Sequence, residues 1–124
     1  MNLVNKEYQK RARTLLGNWQ NRGDSTESFE TPTAETLAAR IDHTLLRSDA
    51  SISEVNRVCK EAVKYKYASV CVNPVHVERC AAAIGDDLPV STVIGFPLGA
   101  NHTKIKAAEA ELAEQQGAGI IEMV

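Results

Sequence analysis

No stretch of this chain approaches the roughly 20 consecutive apolar residues that a bilayer crossing needs, so no membrane is expected as a partner. Near the first residue there is also no hydrophobic run of about 7–15 residues, which a secretory leader would carry. Charge of one sign is lacking too. Fourteen Lys and Arg stand against 16 Asp and Glu, a net charge of −2. That balance excludes the broad electrostatic grip on phosphates that non-specific nucleic-acid binding requires. Cysteine is sparse. Cys59, Cys71 and Cys80 show no C-x-x-C spacing, and three thiols always leave one unpaired. Each falls in an apolar run, where a free Cys packs as a small hydrophobe, a pattern that suits a reducing cytoplasm. His43, His76 and His102 lie on three separate segments without ligand spacing, so no structural metal is expected.

The apolar fraction of 44% is that of an ordinary globular protein, and 124 residues suffice for one modest core. Residues 1–21 set Lys6, Lys10, Arg11 and Arg13 against a loose stripe of Val4, Tyr8, Ala12, Leu15, Leu16 and Trp19. This is expected to be an amphipathic helix; a mitochondrial transit peptide is the alternative reading. Residues 22–33, RGDSTESFETPT, are polar and aperiodic and have the composition of a linker. Residues 34–124 then form the regular part of the chain.

From Thr33, a good N-cap, one or two helical turns run to Arg40. Ile41 to Leu46 follows as a strand with Asp42 and Thr44 on one face. Ser51 and Glu54 form a capping-box pattern ahead of the helical stripe Val55, Val58, Cys59, Ala62 and Val63. Ala68 to Val72 is a strand, and Asn73-Pro74 supplies an N-cap and a first helical residue. The helix after it buries Val77, Cys80, Ala81 and Ile84 and stops near Gly85. Val90 to Phe96 is β-branched and apolar. A loop, Leu98 to Thr103, leads to a helix with Ile105, Ala108 and Leu112 on its apolar side, stopped by Gly117. A fourth strand begins at Ile120. Apolar strands joined by helices indicate a parallel sheet covered by helices. A doubly wound open sheet and part of a (β/α)8 barrel both fit. Strand starts near 41, 69, 90 and 120 match the repeat of a ~250-residue barrel. The first strand is not followed by G-x-G-x-x-G, and no G-x-x-x-x-G-K-[ST] occurs, which weakens the nucleotide-fold alternative.

Three longer motifs sharpen this picture. Ile-Asp-His-Thr-Leu-Leu at 41–46, Ala-Ser-Val-Cys-Val-Asn-Pro at 68–74 and Thr-Val-Ile-Gly-Phe-Pro-Leu-Gly-Ala-Asn at 92–101 resemble the deoxyribose-phosphate aldolase family in order and spacing. Gly117-Ala118 before Ile-Ile-Glu-Met-Val continues the match, so the resemblance covers essentially everything after the linker. It implies a class I aldolase built on a (β/α)8 TIM barrel. The family reversibly cleaves 2-deoxy-D-ribose 5-phosphate to acetaldehyde and D-glyceraldehyde 3-phosphate, without metal or organic cofactor. A lysine Schiff base acts as the electron sink, and the amine is kept unprotonated by desolvation and a second lysine. A carboxylate with a bound water moves protons.

On this resemblance Asp42 and Glu122 are the expected catalytic residues, and Thr44, Cys71 and Phe96 are expected to line the substrate pocket. Asp42 matches an acidic residue at the end of the family's first strand; the plainer reading is a loop-bracing carboxylate. Thr44 has an equally simple role in satisfying backbone, and Cys71 in packing. Phe96 is expected as an apolar wall. Glu122 stands where the family usually has Asp. Its extra methylene displaces the carboxylate by about 1 Å, and misplacement on that scale can cost about 100-fold in rate. None of the seven lysines, Lys6, Lys10, Lys60, Lys64, Lys66, Lys104 and Lys106, falls in a strand or matches a family lysine. The chain is therefore expected to be the N-terminal half of the barrel, about four parallel strands with crossover helices after an extra N-terminal helix, and inactive alone. A phosphosugar would be the substrate. The chain could be a fragment of a longer chain, the product of an interrupted gene, or a half barrel whose open edges are covered by self-association or by a complementary half barrel. The alternative is a non-catalytic half-barrel assembly or binding module.

Overall fold

A computed structural model describes residues 31–124 together with Lys10, Arg11, Arg13, Thr14, Leu16 and Gly17, which are helical. The remainder of the expected 1–21 helix, and the expected linker up to residue 30, lie outside the described residues. The chain divides into two units at Thr31–Pro32, close to the boundary that composition suggests.

In the second unit α1 (Ala34–Ala38) precedes β1 (Asp42–Leu45), α2 (Ile52–Tyr65) and β2 (Ser69–Val72). A short 3₁₀ turn (Pro74–His76) then leads into α3 (Val77–Ile84), β3 (Val90–Ile94), α4 (Thr103–Gln115) and β4 (Ala118–Met123). All four strands are parallel, and their order across the sheet is their order in the chain. That sequential order decides between the two architectures. A doubly wound sheet reverses direction at a switch point, whereas a barrel adds each new strand beside the last. Four parallel strands with their helices make half of an α/β barrel.

Local chemistry explains the elements. Thr33 caps α1 through the Thr36 amide at 3.3 Å. At α2 the capping box is complete: Ser51 Oγ accepts from the Glu54 amide, and Glu54 Oε2 accepts from the Ser51 amide at 2.8 Å. Two of the helix's otherwise unpaired amides are satisfied in this way. Its apolar stripe of Val55, Val58, Cys59 and Ala62 is buried against Val70 and Val72 of β2 and against Val77, Cys80 and Ile84 of α3. This outer layer, between helices and sheet, is the core.

Two local expectations are corrected. Asn73 makes no side-chain cap; its Nδ2 donates instead to Leu46 O at 3.1 Å, tying the exit of β2 to the exit of β1. On α4, the expected apolar side is the exposed one: Ile105 is 58% and Leu112 53% accessible, and Ala108 is exposed as well. The opposite side, with Lys106, Glu109 and Ala113, meets the sheet. Polar stems pack there because they reach backbone groups at the strand ends. Small shifts at element ends also occur. β3 stops at Ile94, where Gly95 turns the chain at φ +72°, and β4 begins at Ala118.

Candidate active site

The period of two in each strand sends one set of side chains into the helix layer and the other to the opposite face. Parallel pairing then lines up the second set. Asp42 pairs with Ser69, Thr44 with Cys71, Cys71 with Ser91, and Ser91 with Ile120, two residues before Glu122. The result is a polar row across all four strands. Ser69 Oγ donates to Asp42 Oδ1. Ser91 donates to Glu122 Oε1 at 2.6 Å. Both serines are fully buried, and each finds a carboxylate, which compensates the cost of enclosing a hydroxyl.

Cys71 lies between these two pairs. Burial pushes its thiol above the ordinary range, and the negative charge of Glu122 adds to that push, with a smaller part from Asp42; the Ser91 hydroxyl acts in the opposite direction. The thiol is therefore held protonated at neutral pH. What the row offers chemically is two carboxylates, two hydroxyls oriented by them, and a neutral thiol. It supplies proton acceptors and hydrogen-bond donors, and no amine.

The sequence-derived candidates fare unevenly. Asp42, Cys71 and Glu122 come together. Asp42 opens β1 rather than closing it, so its expected place at the strand's end is corrected; it meets the row from below. Thr44 shares the face, but its hydroxyl donates to Asp42 O at 2.8 Å, a bond within its own strand. Phe96 lies past the end of β3, 44% exposed, outside the row. Ser69 and Ser91 were not anticipated. Their signal is a small polar residue at alternate positions of otherwise apolar strands, in register with Cys71.

The loop after β3 is held from α4. Glu109 Oε2 accepts from the Gly95 amide at 2.9 Å, and Lys106 Nζ donates to Gly99 O at 3.1 Å and to Val124 O at 3.0 Å. Gly99 N closes the loop on Gly95 O at 2.8 Å. At Gly95 a Cβ would lie 2.7 Å from Lys106 Cδ, so glycine is required there both by conformation and by space. Among the described residues no lysine lies in a strand. No three metal-type side chains converge among them, and no helix is long and apolar enough to cross a membrane.

No family model matches the chain. Curated relatives do. A deoxyribose-phosphate aldolase of Clostridium perfringens is 47% identical over 89 residues, covering 71% of this chain and 40% of that protein. One of Exiguobacterium sibiricum is 49% identical over 90 residues, covering 71% and 41%. Among solved structures, the deoxyribose phosphate aldolase of Aeropyrum pernix, described as a unique tetramer, is 32% identical with a TM-score of 0.68, over 73% of this chain and 39% of that one. The chain thus spans about two fifths of the length of the curated relatives it matches.

Proposed function

The chain is a relative of the deoxyribose-phosphate aldolases across its four-stranded unit, and from that premise we propose that it contributes part of a barrel that reversibly cleaves 2-deoxy-D-ribose 5-phosphate. The products would be acetaldehyde and D-glyceraldehyde 3-phosphate. The observation that carries this reading is the convergence of Asp42, Ser69, Cys71, Ser91 and Glu122 on one face of the half barrel. Residues with no helix to cover them belong on a barrel's interior, and a polar interior row suits a hydroxylated substrate.

In this scheme Glu122 takes the role of the proton-relay carboxylate, with Ser91 fixing one of its oxygens. Asp42, oriented by Ser69, supports the hydrogen-bond network from β1. Thr44 and Cys71 line the pocket, and Phe96, beyond the row and past the end of β3, forms an apolar wall. The electron-sink lysine comes from strands other than the four described here, and no metal or organic cofactor takes part. The 124 residues alone therefore form no productive imine.

Partner strands are part of the same proposal. On β4, Ile120, Ile121 and Met123 are exposed apolar residues at an open sheet edge. Such an edge needs covering by further strands, supplied by a longer protein, by a complementary half barrel or by another copy of this chain. Three free thiols and a phosphorylated substrate fit a reducing cytoplasm. The same open edge would serve a non-catalytic half-barrel module, so activity must discriminate.

The test is borohydride trapping with acetaldehyde, read by peptide mapping, alongside release of glyceraldehyde 3-phosphate from deoxyribose 5-phosphate. The purified 124-residue chain should show neither a labelled lysine nor turnover. The native assembly that contains it should show both. Specific labelling of Lys60, Lys64, Lys104 or Lys106 in the chain alone would overturn the assignment of the amine to other strands. An inert native assembly would overturn the aldolase reading and favour the non-catalytic module.

A further inference from the structure

The two acids of the polar row reach their serines in different ways. Asp42 and Ser69 are register partners, directly opposite each other on β1 and β2, and a short acid closes that gap. Ser91 has Ile120 as its register partner, while Glu122 lies opposite Val93, further along the sheet. The Ser91–Glu122 hydrogen bond of 2.6 Å therefore runs on a diagonal. Neighbouring strands lie about 4.8 Å apart and two residues advance about 6.6 Å, so backbone positions on that diagonal are about 8 Å apart. Only side-chain atoms beyond Cβ cross it, because side chains stand roughly perpendicular to a sheet. Glutamate has one more methylene than aspartate for this, about 1 Å of reach.

A register irregularity sets up this diagonal. Val90 pairs with Ala118, but Ser91 pairs with Ile120, so Gly119 is an extra residue on β4. Such an insertion carries every later side chain to the other face of the sheet. Before it, Ala118 packs against the helix-side core; after it, Ile120 and Glu122 share the face of Ser91. Glycine suits the position, since a Cβ at Gly119 would stand only 3.3 Å from Pro89 Cβ. Ser91 is fully buried, so its hydroxyl depends on the carboxylate for a partner. The backward lean also brings the charge to the level of Cys71, the register partner of Ser91 on β2. In keeping with this, the thiol feels Glu122 more than it feels Asp42.

We infer that Ser91 is a positioning residue that draws the Glu122 carboxylate back along the sheet to the level of Cys71, and that the site for this reason requires glutamate rather than aspartate at position 122. The inference rests on the reading of Glu122 as the proton-relay carboxylate and adds what fixes its place. Acid length follows register: a short acid where the serine is directly opposite, a long one where it lies on the diagonal. An aspartate at position 122 would leave its carboxylate beside the apolar Val93 and the buried Ser91 hydroxyl without a partner.

The test combines steady-state kinetics of the native assembly on deoxyribose 5-phosphate with urea unfolding of the purified chain. Glu122→Asp should lower kcat about 100-fold, the loss expected for a misplacement near 1 Å, while KM changes by less than about threefold. Ser91→Ala, which releases the carboxylate, should lower kcat about 10-fold. The double variant should be no slower than Glu122→Asp alone, because the two residues act as a unit. In urea the effect of Ser91→Ala should depend on its background. It should lower the midpoint of the wild-type chain, but leave unchanged or raise that of Glu122→Asp, where it removes an unpaired buried hydroxyl. Turnover by Glu122→Asp equal to wild type, or substitution effects that simply add in either measurement, would overturn the inference and leave the aldolase reading standing. An inert wild-type assembly would overturn that reading instead, and the urea cycle would still decide whether Ser91 and Glu122 are coupled.

Discussion

Replacing Lys106 by Met tests whether α4 holds the loop that follows β3. Lys106 is a helix lysine, a class usually solvated, yet its ammonium bridges Gly99 O at 3.1 Å and Val124 O at 3.0 Å. Its stem also lies against Gly95. Met keeps the unbranched stem and its packing while removing the charge and both donors. A hydrogen bond from a charged group contributes about 1.5–3 kcal/mol where it is buried. The Gly99 bond is half-buried and the Val124 bond exposed, so solvent screening reduces the second to about 0–1 kcal/mol. The expected loss is about 2 kcal/mol. For a domain of this size that corresponds to a fall on the order of 10 °C in Tm. Thermal unfolding followed by circular dichroism measures it, and Lys104→Met, at an exposed position on the same helix, is the control, expected within about 0.5 kcal/mol of wild type. Hydrogen exchange at the Gly95 and Ile94 amides should quicken only in Lys106→Met. Equal, small effects of the two substitutions would refute the bridging role.

The Cys71 thiol provides an electrostatic reading of the row. Its raised pKa means that its contribution to stability is whole below the ordinary thiol value of about 8.5 and is lost as pH rises through the raised value. Glu122→Gln removes a negative neighbour, so alkylation of Cys71 by iodoacetamide at fixed pH should accelerate; an unchanged or slower rate would show that the carboxylate is not felt there. At the other end of the sheet, Ser51→Ala breaks the capping box and should cost about 1 kcal/mol in urea unfolding. Glu54 is held below the usual carboxylate range by the Ser51 amide and hydroxyl, so the cap should also weaken as pH falls through that lowered value. A pH-independent cap with an unaffected alanine variant would contradict the assignment.

Much of the fold was legible from local pattern. The caps at Thr33 and Ser51, the stripe from Val55 to Ala62 and the strand cores at 69–72 and 90–94 all follow from neighbours a few residues apart. The misplacements have a common origin. Asn73 has cap chemistry, but its side-chain amide donates to the Leu46 carbonyl just past β1. The expected apolar side of α4 is exposed in this four-stranded unit, while Lys106 and Glu109 meet backbone partners in the loop after β3 that no helical periodicity reveals.

Periodicity and capping thus depend on spacings of two to four residues, and the amino-acid order alone determines them, along with the family motifs. The polar row depends on which strand lies beside which and in what register. Ser69 meets Asp42 across 27 residues, and Ser91 meets Glu122 across 31. Those distances are bridged only when parallel pairing stacks the strands in sequential order. Local propensity is encoded residue by residue, whereas contact between distant side chains exists only after the core has closed.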